Sequence, residues 1–297
     1  MSIPSISENK SPKIKRYLLK VWYIGTYFAG SQRQPLKRTV ESELINALKK
    51  TKYISDATSA NFKAAARTDA GVHAREAAYC FNSKEKIYIQ KIESFLPSDL
   101  GIVGYCSVSL DFHPRWMVEM KEYKCIYVLK EEENPSIKKM REALRIYQGD
   151  HDFRMFSKTD PSKKNKLTKI TINKADVNYL DDDKQILVFS FKSKSFLWQQ
   201  IRRTIAFILK IGNGKVNIDD LQNKLDPKSF ENPLIKRDKP IEPGGLILWK
   251  MEFPKEFKFH SEKKSIEKQR NFIKEFERKL TQQKNSLSIF LKQNDDE

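Results

Sequence analysis

Between residues 63 and 75 a single carboxylate, Asp69, stands among small and basic side chains: Lys63, Ala64, Ala65, Ala66, Arg67 and Thr68 before it, Ala70, Gly71, Val72, His73, Ala74 and Arg75 after it. Flanking guanidinium groups favour the charged form of a carboxylate. An ionised acid in a loop of small residues, where backbone and substrate can approach closely, suits nucleophilic attack or proton removal. The same spacing suits a plain turn, because aspartate and glycine two positions apart are common there, and on spacing alone the turn is the stronger reading. Two features favour chemistry. Apolar runs on both sides place the loop between two strands, a rigid mounting. The competing acidic clusters, Asp181 to Asp183 and Asp219 with Asp220, read as a hairpin turn and a helix start. His73, the segment's other base, reads as holding the loop. The four histidines do not cluster, and no H-x-x-x-H, H-E-x-x-H or C-x-x-C spacing occurs, so no metal site is predicted. No glycine-rich nucleotide loop occurs either, so no cofactor is predicted.

The chain that must position this loop has 297 residues, enough for two packed domains or one large one. Its net charge of +18 points to a polyanionic partner, although a lysine-rich proteome would raise the charge as well. No apolar run approaches the roughly 20 residues of a membrane span, and the N-terminus lacks an apolar signal core. Cys80, Cys106 and Cys125 are far apart and odd in number, which predicts core thiols in a reducing, cytoplasmic setting.

Periodicity supplies the frame. A loose arm is expected over 1–16, then an interior strand over 17–23, a glycine-punctuated loop, and a helix capped by Thr39. Strands are expected over 62–68, 77–81 and 101–108, with a short helix over 92–96. A connector over 112–116 leads to a strand over 122–130. Asn134, with Pro135 behind it, is expected to cap a helix that Gly149 ends. A lysine-rich loop spans 154–169, a hairpin joins 170–179 to 185–192, and a helix covers 198–211. Asn217 or Asp219 caps a further short helix, and a strand over 246–253 closes the body. The β-α-β-β-α-β order occurs twice. This predicts an α+β fold of two ferredoxin-like (split βαβ) units, 17–110 and 111–254, merged into one long antiparallel sheet with helices on one side and a cleft on the other. Beyond Pro254, heptad-like spacing of Ile266, Ile273, Phe276, Leu280, Leu287 and Phe290 predicts an amphipathic helix over the extension 255–297 that packs on the body, pairs with another chain or frays.

Arg67 to Ala74 resembles the signature R-T-D-x-G-V-H-A of the TruA family of tRNA pseudouridine synthases. Further segments are similar to that family in the same order: Gly30-Ser31-Gln32-Arg33-Gln34, Asp111-Phe112-His113-Pro114-Arg115, Lys121-Glu122-Tyr123-Lys124, Gly149-Asp150-His151-Asp152-Phe153 with Phe156, Phe196-Leu197-Trp198-Gln199-Gln200-Ile201-Arg202-Arg203, and Pro243-Gly244-Gly245-Leu246. The resemblance covers about 17–253. Departures are Ser31 for an aromatic, Ile24 for an aspartate, Ala66 for glycine or serine, and Lys121 for an arginine. The resemblance implies cofactor-free isomerisation of uridine in tRNA, in the anticodon stem-loop around positions 38–40, by a homodimer; the alternatives are the same reaction at other tRNA or small-RNA positions, or an RNA-binding protein without turnover. It implies that Asp69 carries the chemistry, that Arg202 holds it, and that Tyr123 stacks on the uracil and assists removal of the C5 proton. Arg67 would position the flipped nucleotide, which must leave its stack to be reached. The expected RNA surface is the cleft with Arg33, Lys63, Arg67, Arg75 and Arg203 and the loop lysines Lys163, Lys164 and Lys166.

Overall fold

The computed structural model describes residues 13–158, 168–181, 183–232 and 234–293, with side chains to residue 289. The lysine loop expected to touch RNA, Lys163, Lys164 and Lys166, lies outside the described residues, as does the side chain of Phe290.

The first unit runs β1 (Lys15–Tyr23), α1 (Val40–Lys50), β2 (Lys63–Ala64), β3 (His73–Ser83), α2 (Ile89–Glu93) and β4 (Leu100–Val108). A four-residue helix, α3 (Pro114–Met117), occupies the connector. The second unit runs β5 (Met120–Val128), α4 (Ile137–Tyr147), β6 (Gly149–Asp152), β7 (Lys169–Ile172), β8 (Lys174–Tyr179), β9 (Ile186–Ser193), α5 (Gln200–Gly212), α6 (Asp219–Leu225) and β10 (Leu246–Glu252). The two β-α-β-β-α-β passes are present, with β6 and β7 inserted as a separate two-stranded sheet. The main sheet has the order β4-β1-β3-β10-β5-β9-β8, with β2 beside β3. Each unit therefore uses the same arrangement, its fourth strand beside its first.

Several boundaries move, each for a local reason. The arm expected over 1–16 gives way to β1 at Lys15. Arg16 is buried there because its guanidinium donates to the Phe112 and Asn61 carbonyls, Asn82 Oδ1 and Cys80 Sγ. Ser136, not Asn134, caps α4, accepting from the Lys139 amide. Neither Asn217 nor Asp219 caps α6; the Asp220 carboxylate instead accepts from the Asn217 amide. The helix expected from Trp198 begins two residues later, since Gln199 is left-handed (φ 60°). Thr39 caps α1 as expected, in a reciprocal box with Ser42.

The strand expected over 62–68 shrinks to Lys63 and Ala64. Its pairing edge on β3 is shared: β2 takes Cys80 and Tyr79, and β10 takes His73 and Ala74 at the other end. The β3–β10 seam is parallel, so the sheet is not antiparallel throughout. Between its two partners the edge of β3 is released by residues 65–72, which leave the sheet after Ala65 bonds the Ala78 carbonyl.

Cross-strand partners point to the same face of a sheet. Tyr123 lies opposite Phe191 and Leu248, and Phe191 packs 6.2 Å from Tyr147 of α4. Tyr123 therefore belongs to the helix-bearing face, in the gap between the two sets of helices. The cleft expected on the face without helices is instead on theirs. Across the opposite face runs the segment after β10: Phe259 sits 4.6 Å from the Lys20 ammonium, and His260 bridges to Tyr105. The final helix, α7 (Lys263–Gln293), rests on the body through Phe272, 5.6 Å from buried Trp22, and through Ser265, which donates to Glu93. Ile266, Ile273, Leu280 and Leu287 along it are exposed.

His73 ties the units together at the seam. Its Nδ1 accepts from the Gly25 amide (3.0 Å) and its Nε2 donates to the Gly244 carbonyl (2.9 Å). One acceptor and one donor require a neutral ring, and burial lowers its pKa below the ordinary 6.5. The unfolded chain therefore binds this proton more readily. The stabilisation is complete above 6.5 and is lost as pH falls through the lower folded value. Thermal melts of wild type and His73→Gln, compared at about pH 7.5 and about pH 5, should show the stability gap between them narrowing in acid; a constant gap would contradict this role.

Candidate active site

Residues 65–72 are shaped by contacts to the loop after β1. The Thr68 amide donates to Ser31 Oγ (2.8 Å), and the Ser31 amide donates back to the Thr68 carbonyl (3.1 Å). The Thr68 hydroxyl also bonds the Tyr23 phenol (2.8 Å). Ser31, the residue that departs from the family's aromatic, is thus buried and is the loop's main anchor. Asp69 to Val72 then form a turn, the Val72 amide donating to the Asp69 carbonyl, with Gly71 at φ +80° in its third position. A Cβ on Gly71 would also stand 2.8 Å from Pro243 Cγ, so glycine is needed twice over.

The turn delivers the Asp69 side chain to α5. Arg202 Nη1 donates to Asp69 Oδ2 at 2.9 Å. Arg202 is 8% exposed, and its Nε is anchored on the Ile241 carbonyl (2.8 Å), so the guanidinium is fixed before it meets the acid. The other carboxylate oxygen, Oδ1, accepts from the indole Nε1 of Trp198, also at 2.9 Å. This second donor was not anticipated. Its signal was the tryptophan in the Phe196-Leu197-Trp198 motif, which the expectation of a helix from 198 placed on the helix itself, two residues before α5 begins.

Tyr123 reaches the same space from β5. Its ring is 6% exposed and meets Phe196 edge-on at 5.2 Å. Its phenol makes no hydrogen bond among the described residues, and burial, with the charge of Asp69, pushes its pKa well up, so it stays protonated at neutral pH. Lys121, two residues earlier and on the same face, is also 6% exposed and has no ion pair among the described residues. Burial, aided by the charges of Arg115 and Lys194, lowers its pKa to about 8.

The remaining basic residues separate. Arg67 and Arg33 are exposed on one rim, and both act on Glu41 at the start of α1, Arg33 at 3.6 Å. Lys63 is exposed on β2. Arg75 is not at the site. It lies 4.6 Å over Trp249, beside Lys124 on the opposite face, because successive β3 residues alternate sides. Arg203 is engaged within the protein, donating to Gln199 Oε1 and the Asp238 carbonyl. What the geometry assembles is a carboxylate with one oxygen on a fixed, buried guanidinium and the other on an exposed indole, beside a protonated phenol and open to the surface. Such a site can hold an ionised acid against a planar ring.

The family model described as tRNA pseudouridine synthase matches residues 143–254, which include Trp198 and Arg202. The tRNA pseudouridine synthase A of Methanosphaera stadtmanae is 36% identical over 263 residues, covering 88% of this chain and 92% of that one. That of Thermococcus sibiricus is 36% identical, covering 90% and 95%, and that of Pyrococcus furiosus 33%, covering 88% and 92%. Similarity of that degree along nearly the whole of both chains makes this chain a member of the tRNA pseudouridine synthase A family.

Proposed function

We propose that this chain isomerises uridine to pseudouridine in tRNA, with Asp69 as the reacting carboxylate. The observation that carries the reading is the Asp69–Arg202 pair, 133 residues apart in sequence and closed at 2.9 Å. In the reaction the N1–C1′ bond breaks, the uracil turns, a C5–C1′ bond forms, and the C5 proton is lost while N1 gains one. Atoms and electrons balance without an oxidant or a cofactor. An ionised carboxylate serves attack on the sugar, attack on the base, or removal of the 2′ proton equally. Arg202 holds and orients Asp69; a permanently charged fork, half of it anchored on Ile241, suits that task better than lysine. Tyr123, protonated and edge-packed, offers a face for the uracil and a hydroxyl donor, not a phenolate base.

The tRNA is held chiefly through its phosphates, to which the net charge of +18 and the rim cations Arg33, Arg67 and Lys63 are suited. Lys121, buried with no ion pair among the described residues, fits a phosphate close to the target nucleotide. The reading extends to the anticodon stem-loop around positions 38–40, to a homodimer and to the cytoplasm. Three free, buried cysteines agree with a reducing compartment, and no helix of the described residues is long and apolar enough to cross a membrane.

Asp69→Asn, which keeps an oxygen for Arg202, should abolish pseudouridine formation on unmodified tRNA while changing affinity by less than about threefold; residual turnover near wild type would remove Asp69 from the chemistry. Arg202→Lys should lower the single-turnover rate about 10²-fold through misplacement of the acid. Arg67→Ala should weaken tRNA binding and reduce the slope of log affinity against log salt by about one, whereas Arg75→Ala should leave that slope unchanged, because its guanidinium faces the other side of the sheet. Mapping the modified positions on the same tRNA tests the anticodon assignment.

A further inference from the structure

The two oxygens of Asp69 are held by different donors. Oδ2 meets Arg202, which is charged, buried and anchored at its other end. Oδ1 meets only the indole of Trp198 among the described residues. That indole is neutral and 39% exposed. Hydrogen bonds in which both partners are charged hold an oxygen's lone pairs more firmly than one from a neutral N–H. Oδ2 is therefore the anchored oxygen, and Oδ1, on the open side, is the one a nucleotide can reach.

The placement of Trp198 is also determined in detail. Gln199 adopts a left-handed backbone at φ 60°, unfavourable for a residue other than glycine. That conformation turns the chain sharply before α5, so Trp198 stands off the helix, towards Asp69. Hydrogen bonds hold both sides of it. The Leu197 amide donates to Gln200 Oε1 (2.8 Å), and Gln200 Nε2 donates to the buried Tyr147 phenol (2.9 Å). The Trp198 carbonyl accepts from the Lys158 amide (2.9 Å), and the Lys158 ammonium lies 4.4 Å from the indole ring. An exposed tryptophan with both its backbone and one ring face restrained, and its single N–H given to the candidate catalytic acid, is built for more than packing.

We propose that Trp198 is a positioning residue: its N–H sets the plane of the Asp69 carboxylate and presents Oδ1 as the atom that reacts. This rests on the reading of Asp69 as the reacting group. The carboxylate can rotate about its Cβ–Cγ bond when only Oδ2 is held; a second donor on Oδ1 removes that freedom before the nucleotide arrives, as preorganisation requires. Oδ1 keeps a further lone pair for the sugar or the base while the indole remains bonded.

The test replaces the N–H and leaves the ring. Trp198→Phe, and the wild-type chain carrying β-(3-benzothienyl)alanine at position 198, in which sulfur stands where the N–H was, should both lower the single-turnover rate at saturating enzyme by about 10- to 100-fold. Affinity for unmodified tRNA and KM should stay within about twofold, and the melting temperature should not move, because the indole N–H is at the surface. A wild-type rate in the benzothienyl protein would overturn the proposal even if the phenylalanine variant were impaired by its smaller ring. Loss of affinity with an unchanged rate would also overturn it, making Trp198 a contact for RNA instead. Failure of the underlying reading is separately visible: the wild-type protein would then form no pseudouridine, or Asp69→Asn would retain it.

Discussion

One edge of β3 serves two partners. Lys63 and Ala64 pair with one end of it and the last strand, β10, pairs with the other, so each partner is short along that edge. A strand of ordinary length in place of β2 would exclude β10, and the two units would not share a sheet. The chain between Ala65 and Val72 is therefore forced out of the ladder. Backbone groups that leave a sheet need other partners, and they find them in Ser31, Tyr23 and the turn closed by Gly71. The loop that carries Asp69 exists because the second unit claims part of the first unit's edge.

The same seam explains why the acid meets its arginine. The parallel pairing of His73 and Ala74 with Ile247 and Leu248 places the start of β3 beside the start of β10. Residues just before β10 supply the Ile241 carbonyl that anchors Arg202 and the Gly244 carbonyl that accepts from His73. An exposed ion pair is worth about 0–1 kcal/mol, but removing one partner of a buried pair costs about 3–5 kcal/mol. The pair here lies between these limits, with the Asp69 side chain 23% exposed and that of Arg202 10%. It contributes modestly to stability; its larger consequence is that a charged oxygen is held at a fixed point at the surface. Trp198 completes the arrangement from the exposed side.

Face selection sorts the basic residues in a way charge counting does not. A net charge of +18 predicts a polyanion but assigns no residue to it. Arg67 and Arg75 both flank Asp69 in sequence, yet one stays on the rim with Arg33 while the other lies across Trp249 on the far side. The place of Arg75 on β3 makes that difference, since successive side chains along a strand point to opposite faces. Lys121 and Tyr123, at even spacing on β5, share the site face for the same reason.

Much was legible from the chain alone. Periodicity located the interior strands β1 and β5, the helix capped by Thr39, and the doubled β-α-β-β-α-β order, because those signals are local. The resemblance of Arg67 to Ala74, and of the later Gln200-Ile201-Arg202, to family segments pointed to Asp69 and Arg202, and the fold brings these two side chains to 2.9 Å. What was not legible depended on partners far away in sequence. The shortening of β2 follows from β10, some 180 residues later in the chain. The Trp198–Asp69 bond spans 129 residues and requires a left-handed Gln199 that no propensity favours. The face on which the site opens, and with it the exclusion of Arg75, follows from strand register. Residue chemistry and local spacing determined which groups this protein has for its reaction; pairing at the β3–β10 seam decided which of them meet, because a hydrogen-bond register between distant strands is set by packing and not by local sequence.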